Sequence, residues 1–389
     1  GNIYVAYAYL NSIDTSYNIF VKTKRSNSET FSAAVDVTPE EIAFAQFTSI
    51  DVDVQGTVHL MFAGATIEDE VLSLYHCKST DGGVSFSDPV KISSLHLQCF
   101  PPGSDEDCDI VGIDPNRVYP CPHLRVDRSG SETNGNLYAV WTADGIVTQQ
   151  TAGLDVYFSK SEDGGKTWTS PIILNNNGDA NTHQFFPSLA INDLGNVIIT
   201  WYDRRDDVNN LMTQYYMTIS KDGGNTFEED FSVSSEASDF SVIGQANGNF
   251  GVGEYTQVVA TNGYALPFWA DGRTNDGNIE IFTTLIPLGE GQTTDVDDVI
   301  SVSNPLQVAA VFPNPAKDIA TLDVELQRPM DLQIKLFSND GKIMRTFPNR
   351  GLSSGGHRLK LDVRGIAAGQ YWVVIRSETG IKAKSLIIE

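Results

Sequence analysis

Apolar and polar residues alternate in short segments along most of the chain, and turn-forming residues separate these segments. In one group of four, the segments cover residues 48–54, 58–63, 72–78 and 87–93. Alternation with a period of two, in segments rich in β-branched and aromatic residues, predicts β-strands. The same group recurs at 123–175 and 188–234, and an incomplete group stands at each end of residues 1–288. The pattern predicts an all-β protein built from repeated four-stranded units.

One turn sequence ends the third segment in three of these groups. It reads Ser79-Thr80-Asp81-Gly82-Gly83-Val84-Ser85-Phe86, its copies begin at Ser161 and Ser220, and a worn copy covers 24–31. The carboxylate of the turn can accept hydrogen bonds from N–H groups of its own turn, and the glycines permit positive φ. No single repeat buries its apolar face alone, so four-stranded repeats of this length predict the blades of a β-propeller.

These turns and the Trp-x-Asp-x-Arg segments at Trp201 and Trp269 resemble those of the Asp-box (BNR) repeat proteins of the sialidase-like superfamily. The resemblance covers residues 1–288 and implies a six-bladed propeller. Five units are visible; the first lacks its first strand and the fifth its last, so we interpret the chain as a fragment or processed form. The resemblance also implies a structural role, away from the ligand face, for three aspartates: Asp81, Asp163 and Asp222.

The sequence changes character after residue 288. Residues 289–304 are polar and rich in turn formers, which predicts a linker, and residues 305–389 predict a second all-β domain. In that domain Leu332, Ile334 and Leu336 alternate with polar residues before the hairpin signal Asn339-Asp340-Gly341. The domain carries a net charge of +4, against −28 for the remainder.

The C-terminal domain carries three motifs that together resemble the sorting domain of type IX secretion substrates. They are Phe312-Pro313-Asn314-Pro315-Ala316, Ala368-Gly369-Gln370-Tyr371 and the closing Lys384-Ser385-Leu386-Ile387-Ile388. The resemblance implies a small immunoglobulin-like sandwich on a Bacteroidota protein that is secreted or held at the outer cell surface, with the type IX machinery as partner. An ordinary immunoglobulin-like module is the alternative, and it predicts the same fold.

Composition limits the other partners. The net charge of −24 argues against nucleic acid or an anionic membrane surface. No run of about 18 apolar residues is present, so we expect no membrane span.

The four cysteines lie in one region and, in a secreted protein, favour two disulfides with three open connectivities. Loop proximity favours Cys99–Cys108 and Cys77–Cys121. We expect no cofactor and no metal. The acidic run Asp105-Glu106-Asp107-Cys108-Asp109 predicts a solvated loop, with calcium binding through its oxygen atoms as the alternative.

Loop lengths predict the ligand face. The long connections 95–120, 175–184 and 235–253 share one face with the connections after Trp141, Trp201 and Trp269, opposite the repeated turns. Variable loops on a rigid scaffold commonly carry binding sites. The candidate ligand-binding residues there are Arg204, Arg205, Asp206, Glu254, Tyr255 and Arg273.

The arginines of this face permit two interpretations. An arginine held by an aspartate can present a planar fork to a ligand carboxylate. Alternatively, Asp203 with Arg205, and Asp271 with Arg273, form repeated structural ion pairs. Arg204 lies outside the repeated pattern and is therefore the better binding candidate.

The predicted function is the binding of a glycan or surface ligand. An exo-glycosidase of sialidase type and a structural surface protein are the alternatives. A sialidase needs three convergent arginines, a tyrosine nucleophile with a glutamate partner and an acid/base aspartate, and the first-arginine motif of that family is absent. Glu254 and Tyr255 are adjacent, and neighbours in a strand point to opposite sides. We therefore assign no catalytic residue.

Overall fold

The computed structural model describes residues 1–11, 16–68, 71–97, 110–113, 118–147, 149–176, 181–243, 255–274, 277–288, 306–338, 342–348, 350–377 and 380–389. Every regular element in these ranges is a β-strand. The chain divides into two compact units, Gly1–Gly291 and Gln292–Glu389. The predicted linker lies outside the described residues.

The first unit consists of five consecutive antiparallel groups, which we call blades 1 to 5. Blades 2, 3 and 4 contain the predicted four strands in sequence order, and a short extra strand joins blade 4. Blades 1 and 2 share one sheet through a single parallel bridge between Tyr17 and Phe44. These sheets confirm the predicted all-β propeller fold. The strands are β1 (Ile3–Leu10), β2 (Tyr17–Lys24) and β3 (Val35–Asp36) in blade 1; β4 (Ile42–Val52), β5 (Val58–Thr66), β6 (Leu72–Ser79) and β7 (Val90–Ser94) in blade 2; β8 (His123–Val126), β9 (Leu137–Ile146), β10 (Gln149–Ser161) and β11 (Ile172–Ile173) in blade 3; β12 (Gln184–Ile191), β13 (Val197–Asp203), β14 (Met212–Ser220), β15 (Phe231–Ser232) and β16 (Ser238–Asp239) in blade 4; and β17 (Gln257–Ala260), β18 (Tyr264–Asp271), β19 (Glu280–Thr283) and β20 (Ile286–Pro287) in blade 5.

Side chains on the first strand of one blade hold the backbone of the first strand of the next. Ser49 on β4 accepts a hydrogen bond from the N–H of Leu124 on β8 at 2.9 Å. Ser188 on β12 accepts one from the N–H of Val258 on β17, also at 2.9 Å. These bonds satisfy backbone donors that no strand ladder reaches, as buried N–H groups require. They identify β4, β8, β12 and β17 as the innermost strands.

The three repeated turns are closed by their aspartates. Asp163 Oδ1 accepts hydrogen bonds from the N–H groups of Lys166 and Thr167 at 2.9 Å, and its Oδ2 accepts the Thr167 hydroxyl at 2.7 Å. The bonds from Thr167 hold the pKa of Asp163 well below its ordinary value. The other two turns repeat this arrangement around Asp81 and Asp222. The carboxylates are therefore occupied by their own turns.

The second glycine of each repeated turn packs on the preceding blade. At Gly165, where φ is +85°, an added Cβ would overlap the ring of His76. At Gly224 it would lie 2.6 Å from the ring of Phe158. Positive φ and this close approach both exclude a side chain at the second position. The turns are therefore contacts between blades as well as hairpins.

A lysine completes two of these contacts. Lys78 Nζ donates to the carbonyl of Gly164 at 2.8 Å, and Lys160 Nζ donates to the carbonyl of Gly223 at 3.1 Å. Blade 1 has Thr23 at the equivalent position, directly before the worn turn 24–31. The Thr23 hydroxyl is buried and has no hydrogen-bond partner in the described part of the chain. The worn repeat has therefore lost this bond to the next blade.

A buried histidine pair lies beneath the turn of blade 3. His59 Nδ1 is 3.1 Å from His76 Nε2, and both residues are 2% exposed. Burial lowers the pKa of both histidines, that of His76 to about 3. Asp53 lies 3.5 Å from His59 Nε2 and partly opposes the lowering at His59. The pair is therefore neutral at pH 7.

The disulfide predicted between Cys77 and Cys121 is absent. Cys77 is a buried free thiol on β6, and burial raises its pKa to about 12. It packs in an apolar cluster with Ile19 and Val21, whereas Cys121 belongs to a separate cluster with Leu124. The prediction is wrong because sequence proximity does not show which core each side chain enters. Cys99 and Cys108 lie outside the described residues.

The second unit is a sandwich of two antiparallel sheets around one apolar core. Leu332, Ile334 and Leu336 are buried in that core, as their alternation predicts, together with residues of both sheets. The predicted turn at 339–341 lies outside the described residues. One sheet contains β21 (Leu306–Phe312), β22 (Ile319–Leu326) and β26 (Gly355–Asp362); the other contains β23 (Met330–Ser338), β24 (Ile343–Thr346), β25 (Arg350–Leu352), β27 (Gly369–Ser377) and β28 (Gly380–Ile388).

The histidine pair predicts acid-sensitive stability. Because the pKa of His76 is lower in the folded protein than its ordinary value of 6.5, the unfolded chain takes up the proton first as the pH falls. The contribution of His76 to the free energy of unfolding is fully present above about pH 6.5. By pH 5 it has fallen by about 2 kcal/mol. His76→Phe, which copies Phe158 at the next contact, should reduce the loss between pH 7.5 and 5 by that amount. Urea unfolding at the two pH values measures it, and equal losses in both proteins would contradict the assignment.

Candidate functional site

The candidate residues that the structure describes lie at the end of the blades opposite the repeated turns, which we call the loop face. There Arg205, just after β13, donates to both oxygens of Asp230 at 2.8 Å each. It also donates to Asp203 Oδ2, which accepts the indole N–H of Trp201 at 2.8 Å. The guanidinium lies 4.4 Å from the ring centre of Tyr216. Burial lowers the pKa of Arg205, but the bonds to the two aspartates outweigh it and raise the pKa.

Blade 5 repeats this arrangement around Arg273. Its guanidinium donates to Asp271 Oδ2, and that oxygen accepts the Trp269 indole N–H at 2.9 Å. The guanidinium lies 4.2 Å from the ring centre of Phe282, and Nη1 donates to Ser235 at 3.1 Å. In both blades, therefore, the arginine fork faces groups of its own chain.

Arg204 is almost fully buried, with 1% exposure. Its guanidinium lies 5.1 Å from the ring centres of both Phe185 and Phe240. Burial lowers the pKa of Arg204 to about 9, and Asp207 partly opposes this. All three guanidinium nitrogens donate to neutral oxygens, those of Thr213, Asn210 and Val111. These bonds tie the connection 204–213 to the segment at Val111, and the side chain is closed to solvent.

The remaining candidates differ in their surroundings. Asp206 accepts the Tyr216 hydroxyl at 2.6 Å, beside the Arg205 cluster. Tyr255 is 87% exposed at the loop-face end of the innermost strand β17. Glu254 lies outside the described residues. The structure thus brings Arg205 and Asp206 together, whereas Tyr255 stands in the next blade.

Two sets of polar contacts on this face could not be predicted from the sequence. His96 Nδ1 lies 2.6 Å from Asp144 Oδ1, although 48 positions separate them. A buried amide chain also joins blades 3 and 4: Asn175 donates to Asp155 at 2.7 Å, and Gln184 donates to Asp203 at 3.1 Å. Burial raises the pKa of Asp155, and the Asn175 bond partly opposes this. No spacing rule signals such contacts, because each forms between separate segments.

Blade 3 keeps the tryptophan of the repeat and loses its ion pair. Trp141 is paired with Tyr157 across the strands, as Trp201 is with Tyr216, but Ala143 occupies the position of Asp203. The Trp141 indole N–H is consequently buried without a hydrogen-bond partner in the described residues. β9 continues to Ile146 and forms a short hairpin with β10, where a longer connection was expected.

The described residues contain no group of three or more His, Cys, Asp or Glu side chains placed to hold a metal ion. The acidic run 105–109, for which calcium is the alternative, lies outside them.

Phenylalanine substitutions at Trp201 and Trp141 should destabilise the protein to different extents, because only the Trp201 indole bonds to an ion pair. Trp201→Phe leaves Asp203 without its indole donor and should lower the free energy of unfolding by about 1–3 kcal/mol more than Trp141→Phe. Trp141→Phe removes a donor that is already unpaired. The lost ring volume is the same in both variants, so it cancels in the comparison. Chemical denaturation measures the difference, and equal destabilisation would contradict the bonding described.

The family model matches the C-terminal unit, whereas the solved structures align with most of the chain. Residues 310–389 match the family model of the secretion system C-terminal sorting domain. No curated protein sequence matches the chain. Among solved structures, an intramolecular trans-sialidase from Ruminococcus gnavus is 7% identical, with 99% of this chain and 92% of that chain covered and a TM-score of 0.45.

Two further solved structures are similar at the same level. A Penicillium chrysogenum α-L-arabinanase is 10% identical, with 94% and 91% of the two chains covered and a TM-score of 0.42. A Dyadobacter fermentans protein of unknown function is 14% identical, with 84% and 87% covered and a TM-score of 0.42. Such values say nothing about activity.

The C-terminal match indicates where the protein is located. The part of the chain that the structure describes contains no helix with the length and apolar composition that crossing a membrane requires. The C-terminal residues 310–389 are a type IX secretion sorting domain, and the protein is exported to the cell exterior or the outer cell surface.

Proposed function

We propose that the exported propeller, of the Asp-box repeat class, binds an uncharged glycan at its loop face and does not cleave it. The observation that supports this is the state of the three arginines. Arg205 and Arg273 direct their forks to aspartates of their own blades, and Arg204 is buried among neutral acceptors. A ligand carboxylate would have to displace an intact ion pair, which costs more than a new pair returns.

The charge of the first unit supports an uncharged ligand. Residues 1–304 carry a net charge of −28, and on the loop face the arginines that could offset it for an acidic sugar are already paired or buried. A neutral sugar needs aromatic faces and hydrogen-bonding groups instead. Tyr255, the most exposed tyrosine of this face, offers such a ring, and the His96–Asp144 pair offers polar atoms.

A glycan array with the full chain tests the proposal. We expect binding to neutral glycans, and a loss of more than about tenfold in affinity with Tyr255→Ala, whereas Tyr255→Phe keeps the ring and the binding. Tyr264→Ala is the matched control, because Tyr264 is 45% exposed at the opposite end of the same blade. Equal effects of the two alanine variants would contradict the assigned face.

Hydrolysis of a fluorogenic sialoside separates the proposal from the sialidase-type alternative. We expect no turnover. Turnover that Arg205→Gln abolishes while the Tm of the variant stays high would favour the exo-glycosidase. Absence of both binding and turnover would favour a structural surface protein.

A further inference from the structure

A recess of about 260 Å³ lies on the other side of the first unit, at the turn end of the innermost strands β8, β12 and β17. One wall is polar and comes from the end of β8, with Arg125 and Arg128. The facing wall includes polar residues, and its exposed apolar surface comes mainly from Val259, which is 43% exposed, because Ala190 and Val258 are buried. A recess with cations on one wall and an exposed apolar side chain on the other suits a small molecule with one charged end.

Arg125 is the cation of this recess that lacks an anionic partner. It is half-buried, and its Nη1 donates to the carbonyl of Leu124 at 2.8 Å. Within the described ranges it makes no other hydrogen bond and no ion pair. A half-buried guanidinium with unused donors gains from an acceptor that reaches it. Its fixed fork matches a carboxylate in particular.

Among the described residues, neither nearby carboxylate forms an ion pair with Arg125: one bonds to other groups, and the other lines the opposite part of the recess. Asp51 accepts hydrogen bonds from the N–H of Val126 and from Arg128, both at 3.0 Å. Asp193 lines the opposite part of the recess. Burial lowers the pKa of Arg125, Asp51 opposes this and Arg128 adds to it. Asp51 therefore neutralises Arg128 first, which leaves Arg125 with the surplus positive charge.

The blade repeat explains why no partner faces Arg125. The matching bonds Ser49 to Leu124 and Ser188 to Val258 align the innermost strands. In this alignment, Arg125 on β8 corresponds to Val259 on β17, and the same level is held by Asp51 on β4 and Ala190 on β12. One acid, one base and two apolar residues thus occupy equivalent positions on the four innermost strands.

We propose that this recess binds a small organic carboxylate, with Arg125 holding the carboxylate and the exposed side chain of Val259 contacting a short aliphatic body. The site is independent of the glycan face, since it lies at the opposite end of the blades. Its ligand class follows from the fork of Arg125 and from the apolar area beside it.

Saturation-transfer NMR on butyrate with the full chain tests this site. We expect a butyrate signal in the parent protein that falls at least fivefold in Arg125→Gln and is unchanged in Arg25→Gln. Arg25 is an exposed arginine of the first unit that does not line the recess. Sulfate should compete poorly, because it cannot use the exposed side chain of Val259. Equal signals in the two variants, or competition by sulfate as strong as by a second carboxylate, would overturn the proposal.

A second variant tests the site with Arg125 in place, so that the test does not depend on the folding of Arg125→Gln. Val259→Glu places a carboxylate in the recess while Arg125 stays in place, and Val259 is 43% exposed, so the side chain has room. We expect this internal carboxylate to abolish the butyrate signal and to raise the Tm. An undiminished butyrate signal in Val259→Glu would also overturn the proposal.

Discussion

The contact between each Gly-Gly turn and the blade before it governs how the sheets of the first unit are joined. A twisted four-stranded sheet leaves an apolar face that only a neighbour can cover. The turn brings its second glycine against His76 or Phe158 of that neighbour, and a lysine of the neighbour bonds to the carbonyl of the first glycine. The aspartate keeps the turn in the shape that permits both contacts.

On the loop face, too, single aspartates accept hydrogen bonds from several groups. The carboxylate of Asp203 serves an indole, an amide and a guanidinium at once, and Asp271 serves its own tryptophan and arginine. Such saturated pairs fix the rim of the blade and leave little charge for a ligand. This saturation is the basis of the proposal that the face recognises its ligand through rings and neutral hydrogen bonds. The sorting domain directs the protein to the cell exterior or the outer cell surface.

The sequence predicts features whose partners are close in the chain. Strand positions, the repeated turns and the Asp–Arg pairs two residues apart follow from local spacing, and the structure contains them. Contacts between distant segments were not predictable: Asp230 completes the Arg205 pair, and Phe185 with Phe240 encloses Arg204. The cysteine pairing failed for the same reason, since Cys77 faces a core that only the folded blades define.

A double-mutant cycle on Arg205→Gln and Asp230→Asn tests most directly whether the loop-face arginines are structural. The two singles and the double are unfolded in urea, and the coupling free energy isolates the two-bond contact between the side chains. We expect a coupling free energy of about 1.5 kcal/mol or more, as charge-assisted bidentate pairs give when largely buried. A coupling near zero would contradict the structural role and would leave Arg205 available to a ligand.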